Sequence, residues 1–217
     1  MLLVNAAAVL VVTAAVESPA IRLAEVADDP YAYAELLARA LDSDQVGYAA
    51  TVDFERQLDD RLVEQRIGVA KIPSASIEVD ERSAVLRSDD REWTCFDADE
   101  EWTCAETTDQ RTGITIGGAG LVVAAAGSGN YRFERRGDRT VGDVLASCFG
   151  VLLVGTRPVA GIGRETELCF AADGLLVFVR RATLASIDTQ ALVDVQPIDE
   201  REFDRRFERA SRGEVTR

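Results

Sequence analysis

From Val46 onward the chain changes side at every residue. Val46, Tyr48, Ala50, Val52 and Phe54 alternate with Gly47, Ala49, Thr51, Asp53 and Glu55, and a period of two is the pattern of a strand with one buried and one open face. Residues 57–61 read as a polar turn, and Val63, Ile67 and Val69 continue the alternation on a returning strand. Pro73 and Ser74 interrupt it. Ile77 and Val79 then mark a third strand, and residues 84–86 a fourth after a turn at 80–83. Strands so closely spaced in sequence pair as an antiparallel meander. Such a sheet with one apolar face needs helices to cover it.

The next segment contains a duplicated tetrapeptide, Glu92-Trp93-Thr94-Cys95 and Glu101-Trp102-Thr103-Cys104. Two Trp- and Thr-rich runs around an acidic turn at residues 97–100 read as a hairpin. With that turn centred between Asp99 and Glu100, Cys95 faces Cys104 directly, and a cross-strand disulfide there is geometrically feasible. The second pair is then Cys148 with Cys169. Neither pair forms a C-x-x-C, which argues against a thioredoxin-like motif and a zinc knuckle. Four reduced, buried cysteines are the alternative reading, and the two disulfides fit an oxidising compartment.

Helices are expected on either side of the meander. Asp28-Asp29-Pro30 supplies a cap and a first-turn proline, and Tyr31, Ala34, Leu37, Ala38 and Leu41 recur at helical spacing. Residues 121–126 read as a short helix. Thr140 and Asp143 resemble a capping box, with Val141, Val144, Leu145 and Cys148 at helical spacing after it, so a second covering helix of about eight residues is expected there. Beta pattern resumes at residues 151–154. Residues 165–171 and 175–179 flank an Ala172-Asp173-Gly174 turn, a strong hairpin signal, and a last strand lies near 191–195. In the charged tail Phe203 and Phe207 stand one helical turn apart, suiting a docked surface helix or a frayed end.

Residues 1–16, MLLVNAAAVLVVTAAV, carry no charge. As a helix they span roughly 24 Å, short of the ~30 Å hydrocarbon core, and they read as the h-region of a signal peptide or a signal anchor, with a buried core helix as the alternative. The expected organisation is a leader over 1–20, one domain over 28–203, and a charged, partly helical tail over 204–217. The whole length of 217 residues suits a single core.

Composition then excludes several functions. The chain has no histidine, so it has no Ser-His-Asp triad, no His-based metal site and no imidazole base. With 38 acidic and 24 basic residues its net charge is −14, which opposes tight binding to nucleic acid or anionic headgroups. All the basic residues except Lys71 are arginine. Residues 113–120 hold four glycines but no Gly-Lys-Ser/Thr, so they do not make a phosphate loop. Paired carboxylates such as Asp59-Asp60 and Asp89-Asp90 sit in turns, where solvation explains them. No catalytic residue, metal ligand or cofactor is expected.

The leader, the helix, a meander opening with an alternating Tyr48-x-x-x-Val52-x-Phe54 strand, and Cys169-Phe170-Ala171-Ala172-Asp173-Gly174-Leu175-Leu176 occur in a familiar order. Together they resemble the bacterial lipoprotein-carrier superfamily of LolA, LppX and LprG-like proteins, in particular secreted or envelope members from actinobacteria with paired cysteines. The resemblance runs over residues 28–203. It implies an α+β fold, a curved antiparallel sheet forming an incomplete barrel covered by a few helices, with an apolar cavity that takes lipid acyl chains in some members. No lipobox cysteine follows the leader here.

The function expected is that of a non-enzymatic cell-envelope or secreted protein binding an apolar ligand between sheet and helices. Candidate cavity residues are Tyr48, Val52, Phe54, Ile67, Val69, Ile77, Val79, Trp93 and Trp102, with ordinary core packing as the competing reading. The alternative function is an extracytoplasmic sensor or regulatory domain that binds an envelope protein partner. Membrane contact is expected only through residues 1–16, if they stay uncleaved.

Overall fold

The computed structural model describes residues 29–88, 91–98, 101–107 and 118–211. Residues 1–28, where a leader is expected, and most of the glycine-rich stretch therefore lie outside the described residues. Helix α1 (Pro30–Asp44) starts where Asp29 accepts hydrogen bonds from the Tyr31 and Ala32 amides, both at 3.0 Å. Strands β1 (Tyr48–Leu58), β2 (Arg61–Ile72), β3 (Ala75–Val79), β4 (Ser83–Ser88), β5 (Arg91–Ala98) and β6 (Glu101–Thr107) follow as a meander. After α2 (Ala119–Gly127) come β7 (Tyr131–Val141), β8 (Val144–Leu153), β9 (Glu165–Ala171), β10 (Leu176–Ala182) and β11 (Ile187–Pro197), and α3 (Glu200–Ser211) ends the described chain.

All eleven strands form one open antiparallel sheet in the order β6-β5-β4-β3-β2-β1-β11-β10-β9-β8-β7. This is the α+β architecture expected: a long sheet, not closed, with helices packed on it. Every neighbour except one is a sequence neighbour; the exception, β1 beside β11, joins the two meanders. At that junction Arg56 lies opposite Asp188 and binds it through Nε and Nη2, at 2.9 and 2.8 Å. Two parallel N–H···O bonds between a guanidinium and a carboxylate form the strongest common ion-pair geometry.

Two expectations about local structure are corrected. Residues 141–148 make no helix: Val141 pairs with Val144 across a two-residue turn of Gly142 and Asp143, and β7 and β8 run on from it. Gly142 has φ +56°, the left-handed value such a turn demands, so the helical spacing of Val144, Leu145 and Cys148 was coincidental. In α1, Tyr31 and Leu41 are exposed, and the buried stripe is Tyr33, Leu36, Ala40 and Ser43. Two helical stripes were available in that sequence. Contact of Tyr33 with Phe133, ring centroids 5.0 Å apart, settles which one is buried.

The meander does not keep one apolar face. In β1 and β2, Tyr48, Val52, Phe54, Ile67 and Val69 join Leu36, Val122, Phe133 and Phe149 in the main core beneath α1 and α2. Val69 pairs with Glu78, however, so Ile77 and Val79 point the opposite way. From β3 outward the apolar set is on the other face: Ile77, Ala84, Leu86 and Cys95 form a second core with Ala49, Ala70, Ile72 and Phe203 of α3. The α1/α2 face becomes polar there, with Arg87 bridging Glu78 at 2.6 Å and Glu92 at 2.8 Å.

Both cysteine pairs are bonded, Cys95 to Cys104 and Cys148 to Cys169, each across directly opposed residues with Cα atoms 4.0 Å apart. Asp44 ties three elements together. Its carboxylate accepts from Lys71 of β2 at 3.2 Å and from the Gly118 and Ala119 amides at the start of α2.

The Arg56–Asp188 clamp makes stability sensitive to acid. Burial pushes the Asp188 carboxyl up, but hydrogen bonds from Arg56 and Ser186 and the charges of Arg56 and Arg181 outweigh it, holding Asp188 below its ordinary range. A carboxylate depressed in the folded state stabilises above its unfolded pKa of about 3.9, and that stabilisation is lost as pH falls through the folded value. Asp188→Asn is expected to cost roughly 2 kcal/mol near neutrality. In urea melts at stepped pH, the gap between wild type and variant should hold from pH 5 to 7 and narrow below about pH 4.

Candidate ligand cavity

The α3 face of the sheet carries small side chains where β1, β2 and β3 meet. Ala49 and Thr51 of β1, Gly68 and Ala70 of β2, and Ile77 and Val79 of β3 make a shallow apolar floor. A helix packed on a sheet needs side chains to fill the gap, and alanine and glycine leave it open. The result is a cavity of about 600 Å³ between sheet and helix. On the helix side it is bordered by Glu202, Arg206, Arg209 and Ala210 of α3, and Asp194 and Gln196 of β11 line one flank.

Three local features hold the helix at this height. The register between β1 and β11 slips between Ala49 and Thr51, so β11 carries an extra residue, and Asp194 takes φ +53°. Bulges of this kind bend a strand and re-aim its continuation. Gly47 lets the chain entering α3 pass close by: a Cβ there would stand 2.7 Å from the Ile198 carbonyl oxygen. The Asp199 carboxylate then accepts from the Glu202 amide at 2.8 Å, capping α3.

Helix α3 docks by its aromatic side. Phe203 is 2% exposed, its ring 5.9 Å from that of Phe207, and Phe207 meets Trp93 edge-on at 5.9 Å. Trp93 lies two residues from Cys95, so the helix rests on the disulfide-bonded hairpin. On the other side of α3, Glu202 pairs with Arg206 at 3.0 Å and with Arg205. The cavity thus has an apolar floor and a charged rim.

The sequence-expected cavity set is divided by the sheet. Ile77 and Val79 line the cavity, Trp93 supports the helix beside it, and Val69 borders it while its side chain joins the main core. Tyr48, Val52, Phe54 and Ile67 belong to the packed core under α1 and α2. Trp102 pairs with Asp97 in the backbone register, and its side chain lies outside the described residues. Sequence reasoning missed Ala49, Thr51, Gly68, Ala70 and the α3 residues. The available signal was the run Gly47, Ala49, Thr51 on the face read as polar: small residues inside a strand often mark a close approach of ligand or backbone.

No protein-family model matches the chain, and no curated protein matches it in sequence. Among solved structures, MucB superposes over 78% of this chain and 61% of its own, with 16% identity and a TM-score of 0.51. The chain therefore spans about three fifths of MucB. A LolA superfamily protein from Nitrosomonas europaea matches 76% of this chain and 94% of its own at 12% identity and a TM-score of 0.36. LprF from Mycobacterium bovis matches 79% and 96% at 12% identity and 0.45. At 16% identity the likeness to MucB concerns the fold alone.

Phe203→Ala should remove the main anchor of α3 at a cost of about 3–5 kcal/mol. Under limited trypsin digestion the variant is expected to be cut first at Arg205, Arg206 or Arg209 while the disulfide-bonded sheet persists. Cleavage no faster than in wild type would show that Phe203 does not hold the helix.

Proposed function

We propose that this LolA/LppX-like chain is a non-enzymatic binding protein of the extracytoplasmic space that takes an apolar chain, such as a lipid acyl chain, into the cavity beneath α3. The observation that carries the reading is the cavity itself. About 600 Å³ lies within the usual range of small-ligand sites, and each CH₂ moved from water onto the Ala49, Ala70, Ile77 and Val79 floor contributes about 0.8 kcal/mol. The charged rim formed by Glu202, Arg206 and Arg209 keeps the polar end of an amphiphile in solvent.

Two disulfides support an oxidising compartment, as does the uncharged run over residues 1–16. Among the described residues no helix is long and apolar enough to cross a membrane. The sheet edges at β6 and β7 favour a second reading, a regulatory domain that engages a protein partner by strand addition. MucB, a neighbour in fold, has been solved in complex with MucA(peri).

Gly68→Leu separates the two readings. A Cβ at Gly68 meets only the Val79 carbonyl oxygen, at 3.7 Å, so a larger side chain can enter the cavity without moving backbone. Wild type is expected to enhance the fluorescence of N-phenyl-1-naphthylamine saturably, with displacement by phospholipid, and the variant to lose at least tenfold in affinity with its near-UV circular dichroism unchanged. Equal binding by both proteins, or none by wild type, would overturn the apolar-ligand reading and leave the sheet edges as the site to pursue.

A further inference from the structure

The loop between β8 and β9 and the turn between β10 and β11 enclose a second cavity, of about 370 Å³. Asp188 lines this one and Asp194 the first, and the two stand roughly 20 Å apart along β11. Its wall is held in place from below. The Tyr131 hydroxyl donates to the Gly163 carbonyl at 2.7 Å and accepts from the Val159 amide at 2.8 Å, while Thr166 donates to the Ile162 carbonyl. Gly163, at φ +77°, lies so close to β10 that a Cβ would stand 2.5 Å from the Ala182 carbonyl oxygen. The cavity is a built feature of the loop.

Its lining is mostly apolar, with Pro158, Val159, Ala185 and a lip at Leu184 that is 74% exposed. Against these stands Arg181, whose Nε is buried with no hydrogen-bond partner. The nearest carboxylate, Asp188, is held bidentately by Arg56. Among the described residues Arg181 forms no salt bridge of its own, and its positive charge borders an apolar space. Burial lowers the proton affinity of Arg181, and the charge of Asp188 restores only part of it. With Nε sealed in, Arg181 brings an uncompensated positive charge to the cavity wall, and an anion entering the cavity can pair with the guanidinium.

We propose that this cavity binds a monocarboxylate with a compact apolar body, the carboxylate accepting from the Arg181 guanidinium and the hydrocarbon lying against Pro158, Val159 and Leu184. A guanidinium matches a carboxylate in plane and in charge, and the apolar walls select an anion that carries hydrocarbon over a fully hydrated one. The site is independent of the cavity beneath α3.

The test is titration calorimetry of the full chain with sodium octanoate and with 1-octanol, paired with amide chemical-shift mapping. Octanoate should shift Gly161, Gly163 and Ala185 saturably, and octanol should shift them with at least tenfold weaker affinity. Arg181→Met removes the charge at similar length and should weaken octanoate at these amides at least tenfold. Leu184→Glu, on a side chain exposed enough to spare the fold, should also weaken it there by repulsion. Gly68→Leu, which fills the other cavity, should leave the octanoate response of these three amides unchanged. Octanol acting on them as tightly as octanoate, an undiminished response in Arg181→Met and Leu184→Glu, or octanoate shifts confined to the surroundings of Gly68 and Ala210 would each overturn the proposal.

Discussion

The pairing of β1 with β11 is the constraint on which the rest depends. Each meander is local: β1 to β6 and β7 to β11 assemble by hairpins between sequence neighbours, at little cost in loop closure. Joining them requires residues more than 130 positions apart to meet, as Arg56 and Asp188 do. Once they meet, α1 and α2 have a continuous surface to cover, and the end of β11 delivers α3 to the opposite face of the first meander. The clamp at this junction is bidentate, and Asp188 is its more buried member. Loss of that carboxylate would leave the Arg56 guanidinium without its partner.

The change of apolar face between β2 and β3 produces the molecule's asymmetry. A sheet with one apolar side would need helices only there. Because Val69 pairs with Glu78, the outer strands turn Ile77, Leu86 and Trp93 away from α1 and α2, and a third helix becomes necessary. Phe203 and Phe207 meet that need at one flank. Above Ala49, Gly68 and Ala70 nothing as large is available, and the cavity is what remains. The hydrogen-bonding register of one hairpin thus decides where a ligand could sit.

Much of the fold was legible residue by residue. The alternation from Val46 to Val69, the opposed cysteines of the duplicated Glu-Trp-Thr-Cys segment, and the Asp173-Gly174 turn each carry their structure in a few neighbouring residues. The helix expected at 141–148 failed because spacing of apolar residues was weighed above Gly142, whose left-handed conformation makes the two-residue hairpin loop. The candidate cavity residues were less legible, for a different reason. Tyr48, Ile67 and Ile77 are equally apolar in sequence, and only strand register assigns them to opposite faces.

By itself the amino-acid sequence determined what local chemistry can determine: where strands and turns lie, which cysteines face each other, and that no histidine-based site exists. Tertiary structure alone decided which face each strand buries, that the space under α1 and α2 is filled while the space under α3 is open, and that Arg181 meets no acceptor beside an already paired Asp188. The physical reason is that these outcomes depend on pairing between residues far apart in the chain. A period of two states that one face is buried, and only the neighbouring strand states which.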